Sequence, residues 1–361
     1  MPVTRVAACH LAPVSLNARA AADGIMTHVR QAAADAANLV VFPEAYISAF
    51  PLWSALRPPT ENHDLLHRMV AESVYADGEE VQTLRETAPV ISVGISEKTR
   101  SGVACLYNSD LVISERGQVA AHHRKPMPTL FEKLIGSPGD GFGLRVADTP
   151  SGRIGGLICG ENTNPLARYS LMAQREQIHI SSWPPMWPTR LNTTPGVAEA
   201  VKSKPNYDDV LADRIRAAAH CFEAKAFGIM CSAFLDERGI DAVTEGASDP
   251  DLVRRELRIG PRGATMVLDP TGAPCPSFMV DKSTGEHMPV DYLQNEQGVL
   301  YPDIELDRCI EGKQYHDVVG GYQRLDVLKL EVNRTRRNPV MFTEDTSPQL
   351  EHAHSNWQVP E

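Results

Sequence analysis

Cys159 ends the apolar run Leu157-Ile158 and opens the polar, turn-like stretch Gly160-Glu161-Asn162-Thr163-Asn164. Two other strand-like runs end on reactive groups. Leu39-Val40-Val41-Phe42-Pro43 delivers Glu44, and His122-His123-Arg124 delivers Lys125. A free thiol, with a usual pKa of about 8.5, is mostly protonated at neutral pH, so a nucleophilic cysteine needs a base. A carboxylate ending an apolar strand has its pKa raised by desolvation, which suits that task. Lysine is a compact charge on a long stem and can reach into a closed pocket to stabilise developing negative charge. Backbone N–H groups after Cys159, where strand gives way to helix, would favour the thiolate and form part of an anion hole. Any one of these residues alone is more often a cap, a surface charge or a core side chain. Their joint occurrence, each at a strand end, carries the reading.

Bulk properties narrow the setting. A chain of 361 residues, 42% hydrophobic and 22% charged, is built like a globular protein. Its net charge of -11 argues against a nucleic-acid partner. No apolar run approaches the roughly 18 residues of a membrane helix, and Thr4 to Leu11 reads as a strand rather than a signal peptide. These features lead us to expect a cytoplasmic protein with no membrane partner. The seven cysteines are odd in number and include no Cys-x-x-Cys pair, so neither a disulfide framework nor a zinc site is expected. His122, His123, His352 and His354 lack companions at ligand spacing, so no metal is expected there.

The elements that must position the three groups follow from periodicity. Arg5–His10 reads as a strand, Ala18–Ala37 as a helix and Leu39–Phe42 as a strand closing a βαβ unit. Pro51–Tyr75 reads as a loop with a short helix, Glu79–Thr87 as a helix and Val90–Ile95 as a strand. Leu106–Ser114 and Gln118–His122 read as paired strands about the turn Glu115-Arg116-Gly117. Strands are expected at Arg153–Ile158, Ile178–Ser182, Gly228–Phe234, Ala264–Leu268 and Gly298–Leu306. Helices are expected at Leu166–Gln174 and Asp208–Phe227. The alternation, with no linker or repeat, implies one α/β domain over residues 1–340. Residues 341–361 are polar and aperiodic and read as a C-terminal tail or arm.

The extended motifs resemble those of the nitrilase superfamily of carbon-nitrogen hydrolases, its nitrilase branch in particular. The segments that carry the resemblance are Phe42-Pro43-Glu44-Ala45, Tyr107-Asn108-Ser109, His123-Arg124-Lys125-Pro126-Met127-Pro128-Thr129, and Cys159-Gly160-Glu161-Asn162 with Pro165-Leu166. It extends from the first strand to about Leu330, where Asp317-Val318-Val319-Gly320-Gly321-Tyr322 is similar to a late family run. The resemblance implies an α/β fold of the αββα sandwich type: two packed sheets with outer helices in a single domain. It implies Glu44, Lys125 and Cys159 as the catalytic set, Glu132 as an assisting glutamate seven residues after Lys125, and no cofactor. It implies that Ser181 to Pro188 lines an acyl pocket through Trp183 and Pro184, with Tyr46, Trp53 and Trp187 as further candidates. It also implies a homodimer or larger homo-oligomer, with Trp53–Tyr75 and Asp236–Pro261 as candidate contact surfaces.

The reaction so implied converts a nitrile to a carboxylic acid and ammonia. An amidase, or a nitrile-hydrating enzyme that releases the amide, is the alternative. The sequence departs from the family pattern at Gly160, where members carry tryptophan, at Gly321 and at Leu325. A glycine beside the nucleophile would leave a roomy substrate pocket, suited to aromatic or arylaliphatic nitriles.

Overall fold

The computed structural model describes residues 3–87, 89–189 and 207–337. The first part of the chain supplies β1 (Val3–His10), β2 (Leu39–Val41), β3 (Val90–Lys98), β4 (Leu106–Ile113) and β5 (Val119–Arg124). The middle supplies β6 (Ala147–Thr149), β7 (Gly152–Ile158), β8 (Ile178–Trp183), β9 (Phe227–Ser232) and β10 (Thr265–Leu268). Five short strands follow: β11 (Phe278–Val280), β12 (His287–Pro289), β13 (Tyr292–Leu293), β14 (Gly298–Leu300) and β15 (Asp303–Glu305). They build one sheet in the order β14-β1-β2-β3-β4-β5, with β15 also on β1, and a second in the order β13-β10-β9-β8-β7-β6.

Strand alternation explains why the two sheets stack. In β1, Val6 and Ala8 face one way and join a core shared with Ile154, Ile180, Ile229 and Val267 of the second sheet. The intervening Ala7 and Cys9 face the other way and meet Ile25 and Val29 of the helix Ala18–Ala34. On the far side, Met230 and Met266 pack with Ala217 and Cys221 of the helix Asp209–Ala224. Strands buried on both faces read as continuous apolar runs, and the result is the expected order of layers, helix, sheet, sheet, helix.

Two expectations change. Gly298–Leu306 is two strands, because Pro302 has no N–H to give a ladder. β14 pairs with Ala8–His10 and β15 with Val3–Arg5, while the Val6 N–H reaches the Pro302 carbonyl. The stretches beginning at Trp53 and Asp236 are helical, at Trp53–Leu56, His63–Glu72, Glu237–Thr244 and Pro250–Ile259. They bury Trp53, Leu65, Ile240 and Leu257 in one cluster with Met186, so they pack on each other rather than lying in solvent. Among the described residues no helix is long and apolar enough to cross a membrane. Residues 341–361 lie outside the described residues.

The loop after β2 carries Glu44 across the end of β3. Ala45, Ser48 and Ala49 all take left-handed backbone, at φ 46°, 80° and 67°, which costs a non-glycine residue about 1–2 kcal/mol. The Ile47 N–H bonds to the Gly94 carbonyl, and Ile47 bridges to Ile95. This close approach needs Gly94: a Cβ there would run into the backbone of Pro43, Glu44 and Ala45. Gly94→Ala is therefore expected to lower stability by about 1–3 kcal/mol and to cut turnover together with it. Denaturant unfolding and a rate measurement on the same preparation check both effects.

Candidate active site

Glu44, Lys125 and Glu132 meet in a fully buried ion cluster. The Lys125 Nζ lies 3.0 Å from Glu44 Oε1 and 2.7 Å from Glu132 Oε2, and both carboxylates are nearly inaccessible. Asn108, on β4, donates its amide to Glu44 Oε1 at 2.6 Å and to Glu132 Oε1 at 2.8 Å. The backbone supports this from both sides. The Lys125 N–H donates to the Asn108 carbonyl, and Glu132 Oε2 also accepts the Thr129 N–H at 2.7 Å. Asn108 lies in the Tyr107-Asn108-Ser109 motif, yet reading the sequence gave it no role. Its signal is an amide two strands' width from a carboxylate, which only the pairing of β4 with β5 reveals.

Bonding leaves one carboxylate oxygen free. Glu44 Oε1 takes both Lys125 and Asn108, whereas Glu44 Oε2 is buried with no partner. Desolvation, opposed by Lys125 and reinforced by Glu132, raises the Glu44 pKa to about 7. Burial works against the Lys125 ammonium, but its carboxylate partners, Glu44 first and then Glu132, hold its pKa well above the usual lysine value. Cys159 feels the same charges. Burial first, then Glu44, push its thiol well above the usual range despite Lys125. This corrects the expectation of a thiolate favoured by a helix start. The segment after β7 is only a five-residue 3-10 turn, Cys159–Thr163, too short for a substantial dipole. Burial and the nearby carboxylates thus favour the thiol over the thiolate at Cys159.

Cys159 itself sits in left-handed backbone at φ 51°, a turn that a non-glycine residue holds only under constraint. Asn162 donates its amide to the Leu157 and Cys159 carbonyls, both at 3.0 Å. Glu161 Oε2 accepts the Ile158 N–H and His123 Nε2, each at 2.8 Å. Arg124 and His122 pair with Glu97 rather than forming a solvated basic patch, and Arg124 lies 4.3 Å over Tyr107. Neither His122 nor His123 belongs to a group of candidate metal ligands. Among the described residues one such group exists, Glu176, His179 and His220, with ligand atoms within 4.8 Å of one another. His352 and His354 lie outside the described residues.

A cavity of about 250 Å³ opens onto Cys159, and Gly160, Trp183, Pro184 and Trp187 line it as the sequence implies. Trp187 stacks on Phe131 at 4.2 Å. Three details differ. Tyr46 is not in the lining: its hydroxyl donates to the Ala12 carbonyl at 3.3 Å and its ring packs on Phe42, under the sheet. Trp53 is likewise core. Gly160 does not simply vacate space, since the Thr129 Oγ1 stands 2.8 Å from where a Cβ would be.

The cavity wall also carries charge that was not anticipated. Asp209, Asp213 and Arg216, from the helix Asp209–Ala224, are also part of the lining. Arg216 lies 4.5 Å over Trp183 and bonds Asp213 at 2.6 Å. Burial raises Asp209 to about 7 and lifts Asp213 well above the usual carboxylate range, against the pull of Arg216. These residues occupy successive turns of one helix face, and only the docking of that helix reveals that the face meets the cavity.

Comparison with known proteins bears on the family and the fold. The chain is similar to a nitrilase of Penicillium rubens, 29% identical over 94% of this chain and 96% of that protein. It is also similar to an arylacetonitrilase of Hypocrea virens, 28% identical over 92% of each. In fold it resembles the NitFhit protein of C. elegans, with a TM-score of 0.62 at 17% identity, covering 93% of this chain and 69% of that one. The carbon-nitrogen hydrolase family model matches residues 5–314, and the chain belongs to that family.

Proposed function

We propose that this protein is a nitrilase, in which Cys159 attacks the nitrile carbon while Glu44 takes the thiol proton and Lys125 stabilises the charge formed on nitrogen. The observation that carries this reading is the buried pair of Lys125 ammonium and Glu44, whose Oε2 has no partner, with both groups near enough to act electrostatically on the buried Cys159 thiol. Attack makes a thioimidate. Water adds to it, ammonia leaves, and a second water hydrolyses the resulting thioester to the acid. Glu44, with a pKa of about 7, can accept and return protons at each step. Glu132 and Asn108 act by holding Lys125 and Glu44 in register. An amidase would use the same groups. The nitrile reading is preferred because both curated relatives described above are named for nitriles.

For substrate class we infer aromatic or arylaliphatic nitriles. Trp183 and Trp187 give the cavity flat apolar walls, and the Hypocrea relative is named an arylacetonitrilase. We further read residues 1–340 as the catalytic domain, with 341–361 as an appended arm. A cytoplasmic setting is supported by seven cysteines that are all unpaired. Self-association is supported by Leu166, Leu211, Ile215 and Phe222, which are exposed on two helices joined by the Arg168–Glu223 ion pair.

The deciding assay is ammonia release from a panel of nitriles, with acid and amide quantified together. Acid and ammonia in equal amounts support a nitrilase, and turnover of amides alone would refute it. Cys159→Ala is expected to abolish turnover while remaining folded, and mass spectrometry of the wild type with substrate is expected to find the adduct on Cys159. An adduct on another cysteine, with an active Cys159→Ala protein, would sink the assignment.

Glu44→Gln and Lys125→Ala are each expected to lower kcat by ~10²–10⁴-fold, the usual contribution of positioned acid–base groups. The pH dependence follows from Glu44. Its carboxylate is the proton acceptor and its pKa is raised, so the active form is lost as pH falls through about 7. Lys125 stays charged across that window because its pKa is raised as well. A profile of kcat/KM should therefore fall about tenfold per pH unit on the acid side. A limb centred near the ordinary glutamate value would contradict the assignment.

A further inference from the structure

On the far side of the Cys159 turn lies a second buried polar cluster, which the reaction above does not use. Glu176, His179 and His220 are all fully buried. His179 Nδ1 lies 2.8 Å from Glu176 Oε1, and His220 Nε2 lies 2.6 Å from Glu176 Oε2. The two imidazoles stack at 3.5 Å. Gly155, paired with His179 across β7 and β8, has no Cβ, and one there would collide with the Glu176 carboxylate. The remaining nitrogen of His179, Nε2, lies 2.9 Å from Asn162 Oδ1, which also accepts the Ser181 hydroxyl at 3.1 Å.

The hydrogen-bond inventory fixes the direction of every link. Asn162 gives both its N–H groups to the Leu157 and Cys159 carbonyls, so its other atom is the oxygen, an acceptor only. His179 Nε2 must therefore donate. Its Nδ1 faces a carboxylate, which when ionised also only accepts, so Nδ1 donates too. Despite burial, His220 and His179 hold Glu176 in its ionised form with a pKa of about 2, while burial keeps His220 neutral with a pKa of about 4. His179 thus donates in both directions, to Glu176 and to the oxygen of the amide whose own N–H groups clasp the left-handed turn at Cys159.

We propose that His179 is a positioning residue for Cys159: through its Nε2–H to Asn162 it locks the amide that holds the nucleophile turn. The proposal rests on the reading of Cys159 as nucleophile. His179 and Ser181 are two residues apart on β8, so both reach Asn162 from one face of the strand, and no contact with substrate is required. Misplacement of a nucleophile by about 1 Å costs ~10²-fold in rate. The signature of the role is a loss in kcat at nearly constant KM.

The test is a double-mutant cycle on the full chain, with phenylacetonitrile as substrate, each rate normalised to folded protein by circular dichroism. His179→Ala and Asn162→Ala are each expected to lower kcat by ~10- to 100-fold and to slow alkylation of Cys159 by iodoacetamide. The double variant should be no slower than the worse single one, because His179 acts through Asn162. If His179→Ala does not accumulate in folded form, His179→Phe keeps the ring volume, removes both N–H groups and should show the same loss. Glu176→Gln should lose less than Glu176→Ala, since its carboxamide can still accept from His220 and donate to His179. A wild-type kcat in folded His179→Ala or His179→Phe, or losses that multiply in the double variant, would overturn the proposal. Cys159→Ala measured alongside separates the two readings: if it still turns over, the nucleophile assignment fails; if it is inactive while the His179 variants are fully active, only the positioning role fails.

Discussion

An ammonium buried between two carboxylates sets the terms for the rest of this structure. Each ion in the Glu44–Lys125–Glu132 cluster is nearly inaccessible, and an isolated buried ion costs several kcal/mol after relaxation. The cluster persists because geometry compensates. Lys125 bridges both acids, Asn108 ties them together, and a backbone N–H takes one of the remaining lone pairs. Two oxygens are left unbonded, Glu44 Oε2 and the Asn108 amide oxygen, and of these only Glu44 Oε2 belongs to a carboxylate.

The sandwich brings these groups together from distant parts of the chain. Glu44 follows β2 and Lys125 follows β5, both in the first sheet, whereas Cys159 follows β7 in the second. Stacking the sheets on a shared apolar core brings their strand ends to one edge. Rigid sheets therefore do what flexible loops could not do as well: they hold opposite charges and a thiol in fixed relation. Two residues in left-handed backbone, Ala45 and Cys159, lie in short segments that leave those sheets, where surrounding structure constrains them.

Much of this was legible in the sequence. The apolar runs were readable as strands, since burial on both faces leaves little room for polar residues, as in Leu39-Val40-Val41-Phe42. The Glu44, Lys125 and Cys159 segments were readable because each motif sits on a strand end. Other features were hidden because they depend on tertiary placement. Tyr46 is two residues from Glu44 but turns under the sheet, while Asp213 and Arg216 are far from any motif yet face the cavity. The Glu176, His179 and His220 cluster joins β8 to a helix more than forty residues on. The histidine pair reads as ordinary core until that helix docks.

The seven cysteines share one chemical state and differ in access. All are free, and six are buried, with Cys159 among those whose thiol is pushed upward by desolvation. Acidity thus does not single out Cys159 for oxidants or alkylating agents, as it does in many thiol enzymes. Among the buried cysteines, Cys159 and Cys309 each line a cavity, and the one at Cys159 is walled by tryptophans. At Cys159 access to electrophiles is a matter of molecular size and shape, set by a cavity of about 250 Å³ between tryptophan walls, whereas Cys105 is partly exposed and Cys309 lines a separate cavity.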